Sequence, residues 1–273
     1  MRALGWIEGQ NLAYENRFIG NDIATLRPFA EELVRLKVDV IVTLGTEAAL
    51  AAKNATTTIP IVMASIGDPV GTGLVASLAH PGGNITGFSL LTPEIETKRA
   101  ALLHELLPAV QRVAVMINPR NRLVARMRKW IEEAYAALGV EPIFLEIADD
   151  RQFAGAAAQA VQHGAQALAI ELNASPTAVA ELMGAAVRYR VPTMAIDRDM
   201  LEAGGLICFQ YDSDESDRRV AALIDKILRG AKPADIPIEQ PTRVTLLLNL
   251  RTAKAIGLAI PQSLLLRADD VIR

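Results

Sequence analysis

The side chains best placed to do chemistry are short, polar and set where apolar runs end. Thr46 follows Gly45 after one such run, Ser65, Gly67 and Asp68 follow the next, Asn118, Asn121, Asn173 and Asp197 lie at or just beyond three later ones, and Tyr211 closes another. Their common chemistry is hydrogen bonding to a small molecule. Gly45-Thr46-Glu47 offers backbone N–H groups and a hydroxyl at a helix start, which stabilises an anion by about 0.3–1 kcal/mol when exposed and up to about 2 when partly buried. A ligand carboxylate suits that site, but a threonine there serves equally as a plain helix cap. Gly67 permits close backbone approach. Asp68 either receives a ligand ammonium or braces the loop ahead of Pro69, and bracing is the simpler use. Asn121 and Ser175 read as helix caps, whereas Asn173 and Asp197 have no such evident employment. Asp197 is the best candidate for a cationic ligand group. Phe88, Phe209 and Tyr211 offer an apolar or stacking wall, with core packing as the alternative.

Activated nucleophiles are missing. The chain holds no G-x-S-x-G elbow and no G-x-x-x-x-G-K-[ST] loop. His80, His104 and His163 stand far apart without a second ligand at metal spacing, and Cys208 sits in an apolar stretch as a buried hydrophobe. Gly71-Thr72-Gly73-Leu74-Val75-Ala76 fits G-x-G-x-x-A. It starts too far past its strand, however, and lacks the acid about 20 residues on that a dinucleotide site uses. No metal, no cofactor and no catalytic residue is expected.

The elements that must position these residues follow one grammar, a buried strand entering small or polar residues and then a helix. VDVIVTLGTEAAL from Val38, IPIVMASIGDP from Ile59 and RVAVMINPRN from Arg112 all show it. Strands are expected at 38–44, 61–65, 86–89, 112–117, 142–147, 167–172, 193–196, 205–211 and 243–248. Helices fall between them, one capped by Thr92 and one by Ser213. Strands apolar throughout need helices on both faces, so the fold class is α/β, two doubly wound parallel-sheet lobes. The expected lobes are 1–89 with 204–232 and 90–203 with 233–273. In open sheets of this kind, ligands sit outside the carboxyl ends of the strands.

Composition narrows the classes further. With 273 residues, half of them apolar, the chain can bury a large core. A net charge of −3 gives no basic excess to neutralise phosphates, which argues against a nucleic-acid surface. No apolar run reaches the roughly 20 residues needed to cross a bilayer, and the opening MRALGWIEGQNL lacks a signal-peptide pattern.

LVRLKVDVIVTLGTEAALAAKNATTTIPIVMASIGDPVGTGLVASLAHPGGNITGFSLLTPE, and later EQPTRVTLLLNLRTAKAIGLAIPQSLLLRADDVI, resemble the tryptophan/tyrosine-type family of ABC transporter substrate-binding proteins. The resemblance covers nearly the whole chain. It implies the type I periplasmic-binding-protein fold, with two lobes joined by a hinge and closing on a small organic ligand, an amino acid or aromatic compound. It also implies a membrane permease as partner, an extracytoplasmic or lipid-anchored location, a monomer and no enzymatic activity. Thr46 and the 65–68 loop would line the first lobe's ligand wall. Asn118, Asn121, Asn173 and Asp197 would line the second, with Tyr211 near the hinge. Relatives carry a first strand, most of its helix and a secretory signal ahead of the stretch MRALGWIEGQNLAYENR. Without that central strand, neighbouring strands would keep unpaired polar groups and an uncovered apolar flank. Two rival readings are a ligand-sensing effector domain of a transcription regulator and a doubly wound α/β enzyme.

Overall fold

The computed structural model describes residues 1–18, 23–90 and 92–273. Two compact units emerge: unit 1 comprises Met1–Thr92 with Asp212–Arg243, and unit 2 comprises Pro93–Tyr211 with Val244–Arg273.

Unit 1 carries a three-stranded parallel sheet in the order β1 (Ile41–Leu44), β2 (Ile61–Ile66), β3 (Ile85–Ser89). Ile41, Ile61, Met63 and Ile85 point to one face, where they pack with Ala49 and Ala52 of α2 (Thr46–Ala55) and with Leu33 and Val34 of α1 (Leu26–Leu36). Val62 points to the other face and meets Leu223 and Ile227 of α8 (Ser213–Leu228). This two-residue alternation is what a sheet buried on both faces requires. Coverage is incomplete at β1. Its only sheet neighbour among the described residues is β2, Val42 is 48% exposed and Leu44 73%, and Thr43 Oγ1 is buried without a hydrogen-bond partner among those residues. An exposed apolar edge of this kind invites pairing with another chain. Leu44→Lys is expected to suppress concentration-dependent aggregation while leaving stability within about 0.5 kcal/mol. Light scattering across a dilution series checks it, and equal scattering by both proteins would refute it.

Unit 2 holds a seven-stranded sheet in the order β10-β9-β8-β7-β6-β4-β5, made from β4 (Arg112–Ile117), β5 (Glu141–Glu146), β6 (Ala167–Ile170), β7 (Thr193–Ala195), β8 (Ile207–Tyr211), β9 (Val244–Asn249) and β10 (Asp270–Ile272). β5, β4, β6, β7 and β8 run parallel, and β9 is antiparallel to β8. Along β4, Val113, Val115 and Ile117 join one core cluster with residues of α3 (Thr92–Leu106) and α4 (Val124–Ala136). Ala114 and Met116 join the opposite cluster with α5 (Phe153–Gln162) and α6 (Pro176–Tyr189).

Several expectations need correction. Segment 204–232 does not cross into the first lobe as a block, because β8 completes the unit-2 sheet between β7 and β9 and the chain crosses only at 211–212. The return falls at 243–244 rather than 232–233, after Ile236 and Ile238 have joined the unit-1 cores. The cap of α8 is Asp212, whose side chain accepts from Glu215 N, rather than Ser213. The cap expected at Thr92 lies outside the described side chains. Ser175 caps α6 as expected, its hydroxyl accepting from Ala178 N. Three short helices, α7 (Arg198–Glu202), α9 (Leu250–Ile256) and α10 (Gln262–Arg267), were not legible from periodicity, since five to seven residues span at most two turns.

Candidate functional site

In unit 1 the polar residues gather where β1 and β2 end. The two strands pair in register, Leu44 opposite Ala64, and Gly45 N donates to Ala64 O at 3.4 Å, so Thr46 and Ser65 occupy neighbouring strand ends. Gly45, with φ 80° and ψ 158°, is the cap residue of α2, and Thr46 is its first helical residue. The capping role weighed for Thr46 is therefore not what its side chain does. Thr46 is only 8% exposed, yet its hydroxyl makes no hydrogen bond among the described residues, at a helix end whose first N–H groups lack intrahelical partners.

Ser65 carries the other unusual feature. Its φ of 58° lies in the left-handed region, and the pairing of β2 with β3 shifts register between Met63 and Ile66 around it. A left-handed L-residue costs roughly 1–2 kcal/mol, and such strain concentrates where function requires a particular projection. The Ser65 side chain is exposed. Asp68 braces its loop: Oδ1 accepts from Gly71 N at 2.7 Å, and its carbonyl accepts from Thr72 Oγ1 at 2.6 Å. Gly67 lies half-buried between Ile66 and this turn. Residues 71–73 form a turn and no helix starts within 71–76, where Lys53 Nζ donates to Gly73 O and Leu74 O.

In unit 2 the candidates lie at the carboxyl ends of four adjacent parallel strands, β8, β7, β6 and β4. The chain reverses its direction of sheet growth at β4, with β5 on one side and β6 on the other, the kind of switch point beside which ligands bind. Asn118 Oδ1 accepts from Arg120 N, and Asn121 Oδ1 accepts from Leu123 N, each at 2.9 Å. Both asparagines shape the turn after β4, and α4 begins only at Val124, so Asn121 is not its cap. Asn173, past the end of β6, is exposed and its side chain makes no hydrogen bond among the described residues. Asp197 does have employment: it caps α7, Oδ1 accepting from Met200 N at 2.8 Å, and burial raises its pKa against the pull of that amide. Tyr211 is half-buried against the β8 side of the core, while Phe209 is 9% exposed and Phe88, in unit 1, is fully buried.

Sequence reasoning missed a buried cluster of charged side chains in unit 2. Arg99 on α3, only 9% exposed along its side chain, donates through Nη1 to Glu171 Oε2 at 2.8 Å and to Glu96 Oε1 at 3.1 Å, and through Nε to Phe209 O at 3.0 Å. Glu96 and Glu171 are 6% and 5% exposed. Burial raises the pKa of both carboxyls and outweighs the opposing Arg99 charge; for Glu171 the neighbouring Glu96 adds to the rise. Burial pulls Arg99 down, but the facing Glu171 and Glu96 carboxylates leave it above its ordinary value. The available signal was charge at i and i+3 on an otherwise core-facing helix, with a third charge at a buried strand end. Cys208 is fully buried, and burial pushes its thiol up to about 12. Among the described residues there is no metal-binding cluster and no helix long and apolar enough to cross a membrane.

A family model described as ABC transporter substrate binding protein matches residues 1–272. A tyrosine-binding protein of Clostridioides difficile is 25% identical over 256 residues, covering 93% of this chain and 73% of that protein. A conserved domain protein from Vibrio cholerae superimposes with a TM-score of 0.92 at 26% identity, over 99% of this chain and 90% of that one. An ABC domain from Streptococcus pneumoniae in complex with L-Trp superimposes with a TM-score of 0.83 at 24% identity, over 92% and 86% of the two chains.

Proposed function

The chain belongs to the ABC transporter substrate binding protein family, and from that membership we propose that it captures an aromatic amino acid outside the cytoplasm and delivers it to a membrane permease. The named relatives support this ligand class, one being a tyrosine-binding protein and another a complex with L-Trp. The observation that carries the reading is the pair of neighbouring strand ends in unit 1. A nearly buried Thr46 hydroxyl without a partner among the described residues tops a helix, and beside it a strained Ser65 projects into solvent. Thr46 and the first amides of α2 take the ligand carboxylate, because hydroxyl and helix N-terminus both favour negative charge. Asn173 is the better unit-2 contact, since Asp197 is committed to its own helix. The protein binds without chemistry, so ligand should be recovered unchanged after long incubation.

Calorimetric titration with L-tyrosine and L-tryptophan tests this. Thr46→Ala is expected to weaken binding by about 1–3 kcal/mol, roughly 5- to 150-fold, through loss of one hydrogen bond to a charged group. Ser65→Gly is expected to weaken binding similarly yet remain at least as stable as wild type, because glycine relieves the left-handed strain. If neither amino acid binds, or if both variants bind like wild type, the reading is wrong.

A further inference from the structure

We propose that Glu96, Arg99 and Glu171 form a positioning network for the unit-2 part of the ligand site, in which one guanidinium sets the spacing of three strand ends. The inference rests on the reading above for its ligand class. Its geometry is independent of that reading.

Each contact reaches a different element. Glu96 and Arg99 sit one turn apart on α3, Glu171 is the residue after β6, and the Phe209 carbonyl belongs to β8. Glu171 N donates to Met116 O at 3.0 Å, which extends the connection to β4. Just beyond these points come Asn118 after β4, Asn173 after β6 and Tyr211 at the end of β8. A displacement of Arg99 therefore moves the backbone that carries every unit-2 candidate except Asp197. The guanidinium fork matters here because three acceptors must be met from one planar group, which a lysine ammonium on a flexible stem cannot reproduce.

The network has an inherent proton count. Two carboxylates around one cation leave a buried net charge of −1, whereas one proton shared between the two carboxyls, both raised by burial and Glu171 the further, makes the set neutral. The other titratable groups acting on it are Tyr135 of α4, whose own pKa is raised by burial, Cys208 and Tyr211 of β8, and Asp197 ahead of α7. Glu171 has a folded pKa above its unfolded one. Its stabilising contribution is therefore complete below the ordinary carboxylate range and is lost as pH rises through the raised value. Above that value the proton leaves to solvent, the set carries −1, and the spacing of the strand ends relaxes.

The experiment compares wild type, Glu171→Gln and Arg99→Lys by calorimetry with L-tyrosine and L-tryptophan from pH 5 to pH 8.5, alongside melting temperature without ligand. Wild-type affinity and melting temperature should both fall as pH rises. Glu171→Gln, which stays neutral and can still donate, should bind within about threefold of wild type at pH 5 and lose that slope. Arg99→Lys should bind about tenfold or more weakly at a temperature where circular dichroism shows it folded. A folded Arg99→Lys that binds like wild type, or a Glu171→Gln whose pH profile parallels wild type, overturns the proposal. If wild type binds neither amino acid, the ligand reading fails, and parallel melting curves for wild type and Glu171→Gln would then overturn the network separately.

Discussion

Gly87→Ala abolishes stable folding of unit 1, at an expected cost of about 4 kcal/mol or more. A Cβ at this position would stand 2.2 Å from Met63 O, 2.6 Å from Met63 N and 2.7 Å from Met63 Cβ, on a backbone already at φ 150°. Two of those atoms belong to the main chain of the paired strand, so no rotamer change relieves the overlap and β3 must separate from β2. Such mid-core overpacking belongs to the few mechanisms that produce very large effects. The separation also strips Phe88 and Thr86 of their buried places, including the Thr86 hydroxyl bond to Ile236 O. Trp6 lies in unit 1 and Trp130 in unit 2, so a Trp130→Phe background lets fluorescence follow unit 1 alone during urea unfolding. A midpoint close to that of the parent would show that the strands do not approach as described.

Arg99→Met is expected to destabilise unit 2 by about 3–5 kcal/mol near neutral pH, because it strands two buried carboxyl groups without the cation that pairs with both. The magnitude should depend on pH with a definite sign. Both carboxyls of the variant can escape charge by taking up protons, so the deficit shrinks toward acid and grows as pH rises. Urea unfolding at pH 5 and pH 8 measures both values, and an equal deficit at the two would contradict the assignment. Replacing the whole set, Glu96→Leu with Arg99→Met and Glu171→Leu, should recover much of the loss, since a hydrophobic substitute of similar volume removes the desolvation penalty. Such a protein would be stable but, if the network positions the strand ends, poor at binding.

These two sites differ in how readable they were. The α/β alternation was plain because strands buried on both faces are apolar throughout, and β4 appeared at 112–117 as its residues demand. Strand-end polar residues were equally plain, and the pairing of β1 with β2 did bring Thr46 beside Ser65. Roles were less legible. Asp197 looked unemployed because its helix is five residues long and leaves no periodic trace, while Thr46 looked like a cap because threonine so often is one. The crossing points were misplaced for a related reason. An apolar stretch such as 206–209 suits either sheet, and only its pairing with β7 and β9 assigned it to unit 2.

Sequence alone determined the α/β alternation, the family resemblance and the absence of a recognisable catalytic motif, because periodicity and residue type are local properties that each strand and helix expresses by itself. Tertiary structure alone decided the left-handed turn at Ser65 and the burial of Arg99 between two carboxyls drawn from positions 96 and 171. Each of these depends on which strands become neighbours. Electrostatics and packing act through space, so groups far apart along the chain acquire their chemistry only when the sheet brings them together.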